Sequence, residues 1–322
     1  MILASLIPDS REAAAYNTAA CTKAFCLDVP ATIKVKAGHR YFLKGAFRTK
    51  PVVGCGRFVT DAAGGYPIKP TPMYDGALAR IEQVGTGPIG LLSGAGFVVD
   101  DPIEFVGDGV SPIFEVEGRA NPASGRHLFR QARFANAGFA CDFLPGYYAD
   151  KRDFIDDENH ADNCLFDWCE FMDCQPLRLR NCQSVNHVVR DCMFGQTGPG
   201  RPFTFAEIYR GGILTFERPR LCVTQITGVR LIDPDGKNYS PNNCHVIISD
   251  MKIDRPANAG GPSDKSYFRP VEYIGDSAAV DYSRWILRIN GFAPFRPNII
   301  DDANPRLPRD YWSVHLETIY TN

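Results

Sequence analysis

Two six-residue stretches, Phe166-Asp-Trp-Cys-Glu-Phe171 and Val189-Arg-Asp-Cys-Met-Phe194, share one pattern, with an apolar residue at each end and cysteine in fourth place. They begin 23 residues apart. Similar stretches begin at Phe129, Ile226 and Ile248, so the successive steps along the chain are 37, 23, 37 and 22 residues. A pattern that returns at a regular spacing indicates a repeat architecture.

The spacing predicts an all-β fold, a right-handed single-stranded parallel β-helix. One coil with three short strands needs roughly 20–25 residues, and loops of a solenoid admit insertions. The 37-residue steps therefore predict two insertions, 139–163 and 195–221. Because equivalent residues of neighbouring coils stack about 4.8 Å apart, the residues in fourth place are expected to form a ladder inside the helix. Those residues are Ala132, Cys169, Cys192, Val229 and Met251.

Two other fold classes explain the pattern less well. Apolar positions do not sustain the 3.6-residue period of a helix, and glycine and proline interrupt nearly every window. A β-sandwich would also show short strands and frequent turns, but it would not explain a pattern that returns after 22 or 23 residues.

The chain divides into three predicted segments. Residues 1–75 are expected to cap or attach one end of the solenoid, because an open end exposes core and unpaired backbone. Residues 76–255 are expected to form the coils. Residues 256–322 are expected to hold C-terminal coils with a cap or an oligomer contact.

Composition excludes several classes of partner. The formal net charge of −2 over 322 residues gives no electrostatic footprint for nucleic acid. No apolar run approaches the roughly 20 residues of a membrane helix. The first residues lack the basic segment of a secretory signal. The protein is therefore expected to stay in the cytosol, to leave it by cell lysis, or to have lost a leader.

The chain has 11 cysteines, an odd number that argues against a complete disulfide framework. No CxxC pair of the kind found in zinc sites occurs. The cysteines are expected to be small, buried and reduced.

The stretch Gly94-Ala-Gly-Phe-Val-Val99 and the hexads that end at Phe194 and Ile253 resemble the pectate-lyase-like superfamily of right-handed parallel β-helices. The resemblance covers roughly residues 85–255 and concerns architecture. The superfamily contains polysaccharide lyases, glycoside hydrolases, epimerases and bacteriophage tailspikes, which typically form homotrimers. No motif identifies one of these enzyme families, so the resemblance assigns no catalytic residue.

The two insertions are predicted to form the walls of a glycan-binding cleft. A hydrolase needs two carboxylates, and a lyase needs a base with a cation that stabilises the carbanion. Glu207 with Asp157 or Glu158 is the predicted hydrolase pair. Arg178 and Arg180 alternate with leucines, so both are expected on the outer face of one strand. The predicted sugar-binding residues are Tyr147, Tyr148, Arg178, Arg180, Tyr209 and Arg210.

Plainer interpretations of the same residues remain open. The run 156–158 is also typical of a solvated acidic loop, and its carboxylates suit Ca²⁺, although no cofactor is predicted. Arg178 and Arg180 have possible partners in Asp173 and Glu170, which with Asp167 are expected on the floor of the cleft. His187 is interpreted as structural.

The main functional hypothesis is a viral structural protein, a tailspike, appendage or capsid-surface protein that binds polysaccharide. It would be a homotrimer on the virion surface, in contact with other virion proteins. The alternative is a polysaccharide lyase or glycoside hydrolase with its cleft between residues 139–163 and 195–221. A secreted bacterial carbohydrate-binding protein is a third hypothesis. No GxSxG, P-loop or HExxH motif points to other chemistry.

Overall fold

The computed structural model describes most of the chain up to residue 253 and three later strands. The described ranges are 2–61, 78–117, 124–144, 161–180, 185–196, 203–209, 212–223, 225–233, 244–253, 267–275, 285–292 and 312–318.

Three parallel sheets wind around one core, so the fold is the predicted right-handed parallel β-helix. Strands are numbered in chain order. Sheet A contains β1 (Ile2–Ser5), β2 (Ala31–Val35), β5 (Val53–Thr60), β8 (Ala95–Val99), β11 (Ser124–Gly125), β12 (Leu128–Arg130), β15 (Ala161–Asp162), β16 (Leu165–Asp167), β19 (His187–Arg190), β22 (Gly212–Glu217), β25 (Cys244–Ser249), β28 (Trp285–Phe292) and β29 (Trp312–Thr318).

Sheets B and C supply the other two sides of each coil. Sheet B contains β3 (Arg40–Leu43), β6 (Ala79–Gln83), β9 (Ile103–Val106), β13 (Arg133–Ala135), β17 (Glu170–Met172), β20 (Met193–Gly195), β23 (Arg220–Cys222) and β26 (Lys252–Ile253). Sheet C contains β4 (Phe47–Arg48), β7 (Gly90–Leu92), β10 (Phe114–Val116), β14 (Phe139–Phe143), β18 (Gln175–Leu179), β21 (Phe203–Ile208), β24 (Gln225–Asp233) and β27 (Tyr267–Gly275).

The hexads form the corner between sheets A and B. From β11 to β25, the residue after each sheet A strand has a left-handed backbone, with φ of 55° at Trp168, 54° at Asp191 and 55° at Asp250. Asp191 and Asp250 tolerate this conformation because their short polar side chains bond locally. The next residue, the fourth of the hexad, faces the core, and Cys192 Sγ lies 3.3 Å from the backbone N–H of Cys169. The predicted cysteine ladder is therefore confirmed.

Phenylalanine rings stack inside the helix, one coil above the next. Phe134, Phe171 and Phe194 occupy equivalent positions of sheet B. Their ring centroids lie 5.2 and 4.9 Å apart with nearly parallel planes. Such pairs add about 0.5–1.5 kcal/mol beyond the apolar area they bury, which explains why large aromatic residues recur at this step of the repeat.

Two parts of the predicted repeat were wrong. Residues 139–163 contain β14 and β15, which belong to sheets C and A, so the predicted first insertion includes two strands of the coils. The stretch that begins at Ile226 lies in sheet C, where Val229 faces the core as an ordinary strand residue. The hexad that follows Val189 in register begins at Phe216, and Arg218 pairs with Asp191 across a step of 27 residues. Residues 195–221 therefore contain β21, β22 and part of β23, and they are not an insertion. Alternating apolar residues of a sheet C strand resemble the hexad, which explains the error.

One helix, α1 (Ala14–Phe25), covers the first coils. Cys21, Ala24 and Phe25 are buried in the common core, and the Phe25 ring packs where a side chain at Gly56 would otherwise lie. Among the described residues, no helix has the length and apolar character needed to span a membrane. The roles of the segments 1–75 and 256–322 as caps or attachment points stay predictions.

Buried and half-buried side chains alternate within β25, and this alternation allows a test of the register. Ile248 is fully buried and its neighbour Ile247 lies half-buried on the outer face. We expect Ile248→Val to lower the free energy of unfolding by about 1 kcal/mol, because one buried methylene is lost. The matched change Ile247→Val is expected to have less than half that effect. Urea unfolding measures both variants, and equal losses would contradict the register.

Candidate functional site

Sheet C is the side of the helix bordered by connections of variable length. From β12 to β26, the corner between sheets A and B always has two residues. By contrast, 17 residues (144–160) separate β14 from β15, and seven (196–202) separate β20 from β21. Loops of variable length around a regular face are where solenoids place binding sites. The outer face of sheet C is therefore the candidate site.

A row of charged residues crosses this outer face, one residue on each strand. The backbone registers place the six residues opposite one another from β10 to β27. In strand order they are Glu115, Asp142, Arg178, Glu207, Arg230 and Glu272.

Asp142 is the centre of the site's first ion-pair cluster. Its side chain is 0% exposed and accepts hydrogen bonds from two arginines. Arg178 Nη2 donates to Oδ2 at 2.5 Å. Arg180 donates from Nε to Oδ1 at 2.8 Å and from Nη2 to Oδ2 at 2.6 Å. The Arg178 guanidinium also lies over the Phe139 ring, 4.7 Å from its centroid. A buried carboxylate thus fixes both arginines in one orientation.

The two arginines keep N–H groups for a further anion. A guanidinium has five N–H groups, and Asp142 accepts one from Arg178 and two from Arg180. The arginine side chains are 25% and 29% exposed, so both are accessible. Because Asp142 cancels only one of the two charges, the cluster carries net positive charge.

Tyr209 lies beside Arg180 at the end of β21. Its backbone N–H donates to Leu179 O at 2.9 Å, which places the two side chains opposite each other on neighbouring strands. Burial, with the nearby charge of Glu207, raises the pKa of Tyr209, while Arg178 and Arg180 act in the opposite direction. The phenol is therefore protonated at neutral pH, as a proton donor must be.

Glu207 and Arg230 form the next part of the row. Arg230 Nη1 donates to Glu207 Oε1 at 2.8 Å, and Arg230 Nε donates to Glu272 Oε2 at 2.7 Å. Although burial opposes it, these two carboxylates raise the pKa of Arg230. Although burial opposes it, the hydrogen bond and charge of Asp142 raise the pKa of Arg178, and the charge of Glu207 adds to this effect. The charged groups of the row and Tyr209 thus form one electrostatic cluster.

The structure brings together four of the predicted site residues, Arg178, Arg180, Glu207 and Tyr209. The predicted partners of the arginines were wrong, because Glu170 lies on sheet B beside Arg133. Two further residues of the predicted cleft floor also lie away from sheet C. Asp167 lies on sheet A and pairs with Arg130 and Arg190. Asp173 lies at the corner between sheets B and C, where its backbone is left-handed. The three corners of the helix separate residues that are close in sequence.

Five predicted residues lie outside the described part of the chain. They are Tyr147, Tyr148, Asp157, Glu158 and Arg210. Their roles, including the proposed pairing of a carboxylate with Glu207, stay predictions. Among the described residues, no group of three or more His, Cys, Asp or Glu side chains has the arrangement of a metal site.

Sequence reasoning missed Asp142, Glu115 and Arg230. Asp142 stands between Cys141 and Phe143 in a stretch that is otherwise apolar, so it was not distinguished from core residues. The available signal was strand alternation, since a residue between two inward-facing neighbours faces outwards. The pairing with Arg178 also depends on the register between β14 and β18, which is set by the 35 residues between Asp142 and Arg178.

The chain is similar in fold to an alginate lyase. That crystal structure, of the alginate lyase from Paenibacillus sp. str. FPU-7, superimposes with a TM-score of 0.50 over 93% of this chain and 97% of the other. The sequences are 9% identical, so the likeness concerns the fold alone. No protein-family model and no curated protein sequence matches the chain.

Proposed function

We propose that the protein is a polysaccharide lyase that cleaves uronate-containing glycans on the outer face of sheet C. The observation that carries this proposal is the fixed arginine pair, Arg178 and Arg180, with Tyr209 and Glu207 beside it. The fold similarity to a polysaccharide lyase supports it as an analogy of architecture.

The arginine pair supplies the first requirement of the reaction. A lyase removes the proton on the carbon next to the uronate carboxylate, and negative charge then develops on that carboxylate. Two guanidinium groups held by Asp142 would stabilise this charge without reorganising during the reaction. The Nε and Nη2 groups of Arg180 already bind Asp142, so Nη1 and the second N–H of Nη2 are the groups that would bind the substrate carboxylate.

Tyr209 and Glu207 fit the two proton transfers. Glu207 takes the C5 proton, and the electrons of the C5–H bond form the C4=C5 double bond. The C4–O4 bond breaks, and the departing oxygen takes the phenolic proton of Tyr209. No water or other reactant is consumed, and the product carries an unsaturated uronate at its new non-reducing end. Arg178 lies between Asp142 on one side and Glu207 and Tyr209 on the other. The uronate carboxylate that Arg178 binds would therefore lie beside both residues that transfer protons.

The experiment is a screen of uronate-containing polysaccharides for a product that absorbs in the near ultraviolet. We expect Tyr209→Phe to lower kcat about 100-fold or more, because the variant lacks only the hydroxyl that donates the proton. Tyr16→Phe, at an exposed site on α1, is the matched control and is expected to retain full activity. Saturated product ends would indicate a hydrolase, and undiminished activity of Tyr209→Phe would remove Tyr209 from the mechanism.

The hypothesis of a virion-surface structural protein gains no support from the fold comparison, which points to a polysaccharide lyase. The homotrimer, the contacts with virion proteins and the location on a virion or outside the cell stay predictions. Because no specific observation favours a non-catalytic role, no second function is proposed.

A further inference from the structure

We propose that the site cleaves uronates whose C5 hydrogen and O4 lie on the same side of the sugar ring, as in D-mannuronate and D-glucuronate. Uronates in which these two groups lie on opposite sides, L-guluronate and D-galacturonate, are poor substrates. This inference rests on the proposed lyase function and names the substrate class of the same site. It follows from the positions of the two residues that transfer protons.

Glu207 and Tyr209 lie on the same face of one strand. Glu207 belongs to β21 and Tyr209 directly follows that strand, where its N–H continues the ladder by donating to Leu179 O at 2.9 Å. Side chains two residues apart in a strand point to the same face, and the residue between them, Ile208, is fully buried in the core. The base and the acid therefore both belong to the outer face of sheet C, which is the floor of the site.

The two reacting groups are close enough to act on neighbouring atoms of one sugar. Two positions along a strand are about 6–7 Å apart, a distance that both side chains can close. Burial, followed by the charge of Glu207, raises the pKa of Tyr209, as expected for groups that interact. Arg230 Nη1 donates to Glu207 Oε1 at 2.8 Å, so Oε2 is the atom that takes the proton. The carboxylate and the phenol thus approach C5 and C4 from one side.

The arginine pair determines which part of the sugar lies over these groups. Arg178 and Arg180 project from the neighbouring strand on the same face, and Asp142 holds them there. A uronate carboxylate bound to them is attached to C5, so it brings C5 over the floor beside Glu207. The hydrogen that leaves C5 and the oxygen that leaves C4 must then both lie on the ring face that is turned towards the sheet.

The configuration of the sugar decides whether this requirement is met. In D-mannuronate and D-glucuronate, the C5 hydrogen and O4 are cis. In L-guluronate, the C5 epimer of D-mannuronate, and in D-galacturonate, the C4 epimer of D-glucuronate, they are trans. Elimination from a trans uronate needs the base and the acid on opposite sides of the ring. A base and an acid that share one floor reach only one of the two groups with the geometry that proton transfer requires.

The test measures unsaturated product from two pairs of polymers with the full chain. Poly-mannuronate and poly-guluronate differ only in configuration at C5 and yield the same unsaturated uronate, so their charge density and linkage positions are matched. A (1→4)-linked glucuronan and polygalacturonate form the second pair, which differs at C4 and in the anomeric linkage. We expect kcat/KM to be at least tenfold higher for the cis member of each pair that is cleaved.

The possible outcomes separate this inference from the proposed function. Equal or faster formation of unsaturated product from poly-guluronate or polygalacturonate would overturn the inference and leave the lyase function intact, since the base would then act from the other side of the ring. Cleavage of a cis polymer with saturated ends would indicate hydrolysis and overturn both proposals. If none of the four polymers gave an unsaturated product, both proposals would also be wrong.

A variant tests whether the base lies on the floor. Glu207→Gln keeps the shape of the side chain and an acceptor for Arg230, and it is expected to lower kcat on the cis polymer about 100-fold. Glu217→Gln, on sheet A, is the matched control and should retain full activity. Circular dichroism gives the folded fraction, so that activity is compared per folded molecule. Full activity of folded Glu207→Gln would remove the base from the floor and overturn the inference, even if the cis polymers were preferred.

Discussion

Replacing Asp142 with asparagine is expected to lower kcat/KM about 100-fold or more and to destabilise the protein by about 3 kcal/mol. The carboxylate is fully buried and fixes both Arg178 and Arg180. Asparagine keeps the shape but loses the charge and one acceptor oxygen, so two neighbouring guanidinium groups repel each other without compensation. Breaking a buried ion pair from one side costs about 3–5 kcal/mol, and the partial exposure of both arginines favours the lower end of that range.

The loss of activity has a separate cause from the loss of stability. Once Asp142 no longer holds the arginines, their side chains adopt several orientations, and a displacement of about 1 Å can cost about 100-fold in rate. We expect this loss to appear in the activity per folded molecule. Circular dichroism gives the folded fraction at the assay temperature, and urea unfolding gives the change in stability.

The chain provides a matched control on another face. Asp167 on sheet A also lies buried between two arginines, accepting from Arg130 Nε at 3.2 Å and Arg190 Nε at 2.9 Å. Asp167→Asn is expected to lower stability by a similar amount while leaving the activity per folded molecule unchanged. If both variants lost activity equally, the effect of Asp142 would be one of stability alone, and sheet C would not be the active face.

The core of the fold was predictable because one short pattern recurs at a corner with fixed geometry. In the hexads at Phe166 and Val189, one left-handed residue is followed by a cysteine that faces the core, so both coils repeat the same corner. The sheet C strands have no such corner. Their length and spacing vary, which is why the strand that begins at Gln225 was mistaken for a hexad and β21 was assigned to an insertion.

The candidate site was predictable only in part, for a related reason. Strand alternation placed Arg178 and Arg180 on an outer face, and the structure confirms that placement. Their partner Asp142 comes from the preceding coil, and its position opposite Arg178 depends on the length of the intervening chain. Local sequence patterns contain no information on such a register. The contacts between side chains of neighbouring coils could therefore be identified only from the strand pairing in the structure.

Two buried histidines are expected to lower the stability of the central coils progressively as the pH falls below about 6.5. His127 Nδ1 accepts from the backbone N–H of Phe97 at 3.1 Å, and His187 Nδ1 accepts from that of Cys164 at 3.3 Å. The second ring nitrogen of each histidine is buried without a hydrogen-bond partner within the described structure. Because Nδ1 is the acceptor in both rings, Nε2 already carries the hydrogen of the neutral form. A second proton would have to go to Nδ1, where it would displace the accepted hydrogen bond and put a charge in an apolar core. Burial accordingly lowers the pKa of both histidines to about 3.

The sign of the pH effect follows from these values. An unfolded histidine has a pKa near 6.5, so between about pH 6.5 and pH 3 the unfolded chain binds more protons than the folded one. Stability is complete above pH 6.5 and falls by about 1.4 kcal/mol per pH unit for each histidine as the pH decreases. Glu170 acts in the opposite direction, because burial raises its pKa to about 7 and its protonation favours the folded state as the pH falls.

Single substitutions isolate the contribution of the histidines. In His187→Asn, the side-chain oxygen can replace Nδ1 as the acceptor for Cys164 N–H, and the side chain no longer titrates. The variant is expected to be less stable at pH 7.5, because it fills less of the core. Its loss of stability between pH 6.5 and pH 4.5 is expected to be smaller than that of the wild type by about 2–3 kcal/mol.

Urea unfolding at several pH values measures this difference, and the contribution of Glu170 cancels because it is present in both proteins. Val189→Ala, at a buried position of the same strand as His187, is the control, since it lowers stability without removing a titrating group and should leave the pH dependence unchanged. An identical pH dependence in His187→Asn and the wild type would show that His187 is not buried in a neutral form. In that case, a proton would have to reach the ring in the folded state, and the core of the central coils would be less tightly closed than its stacked phenylalanine rings indicate.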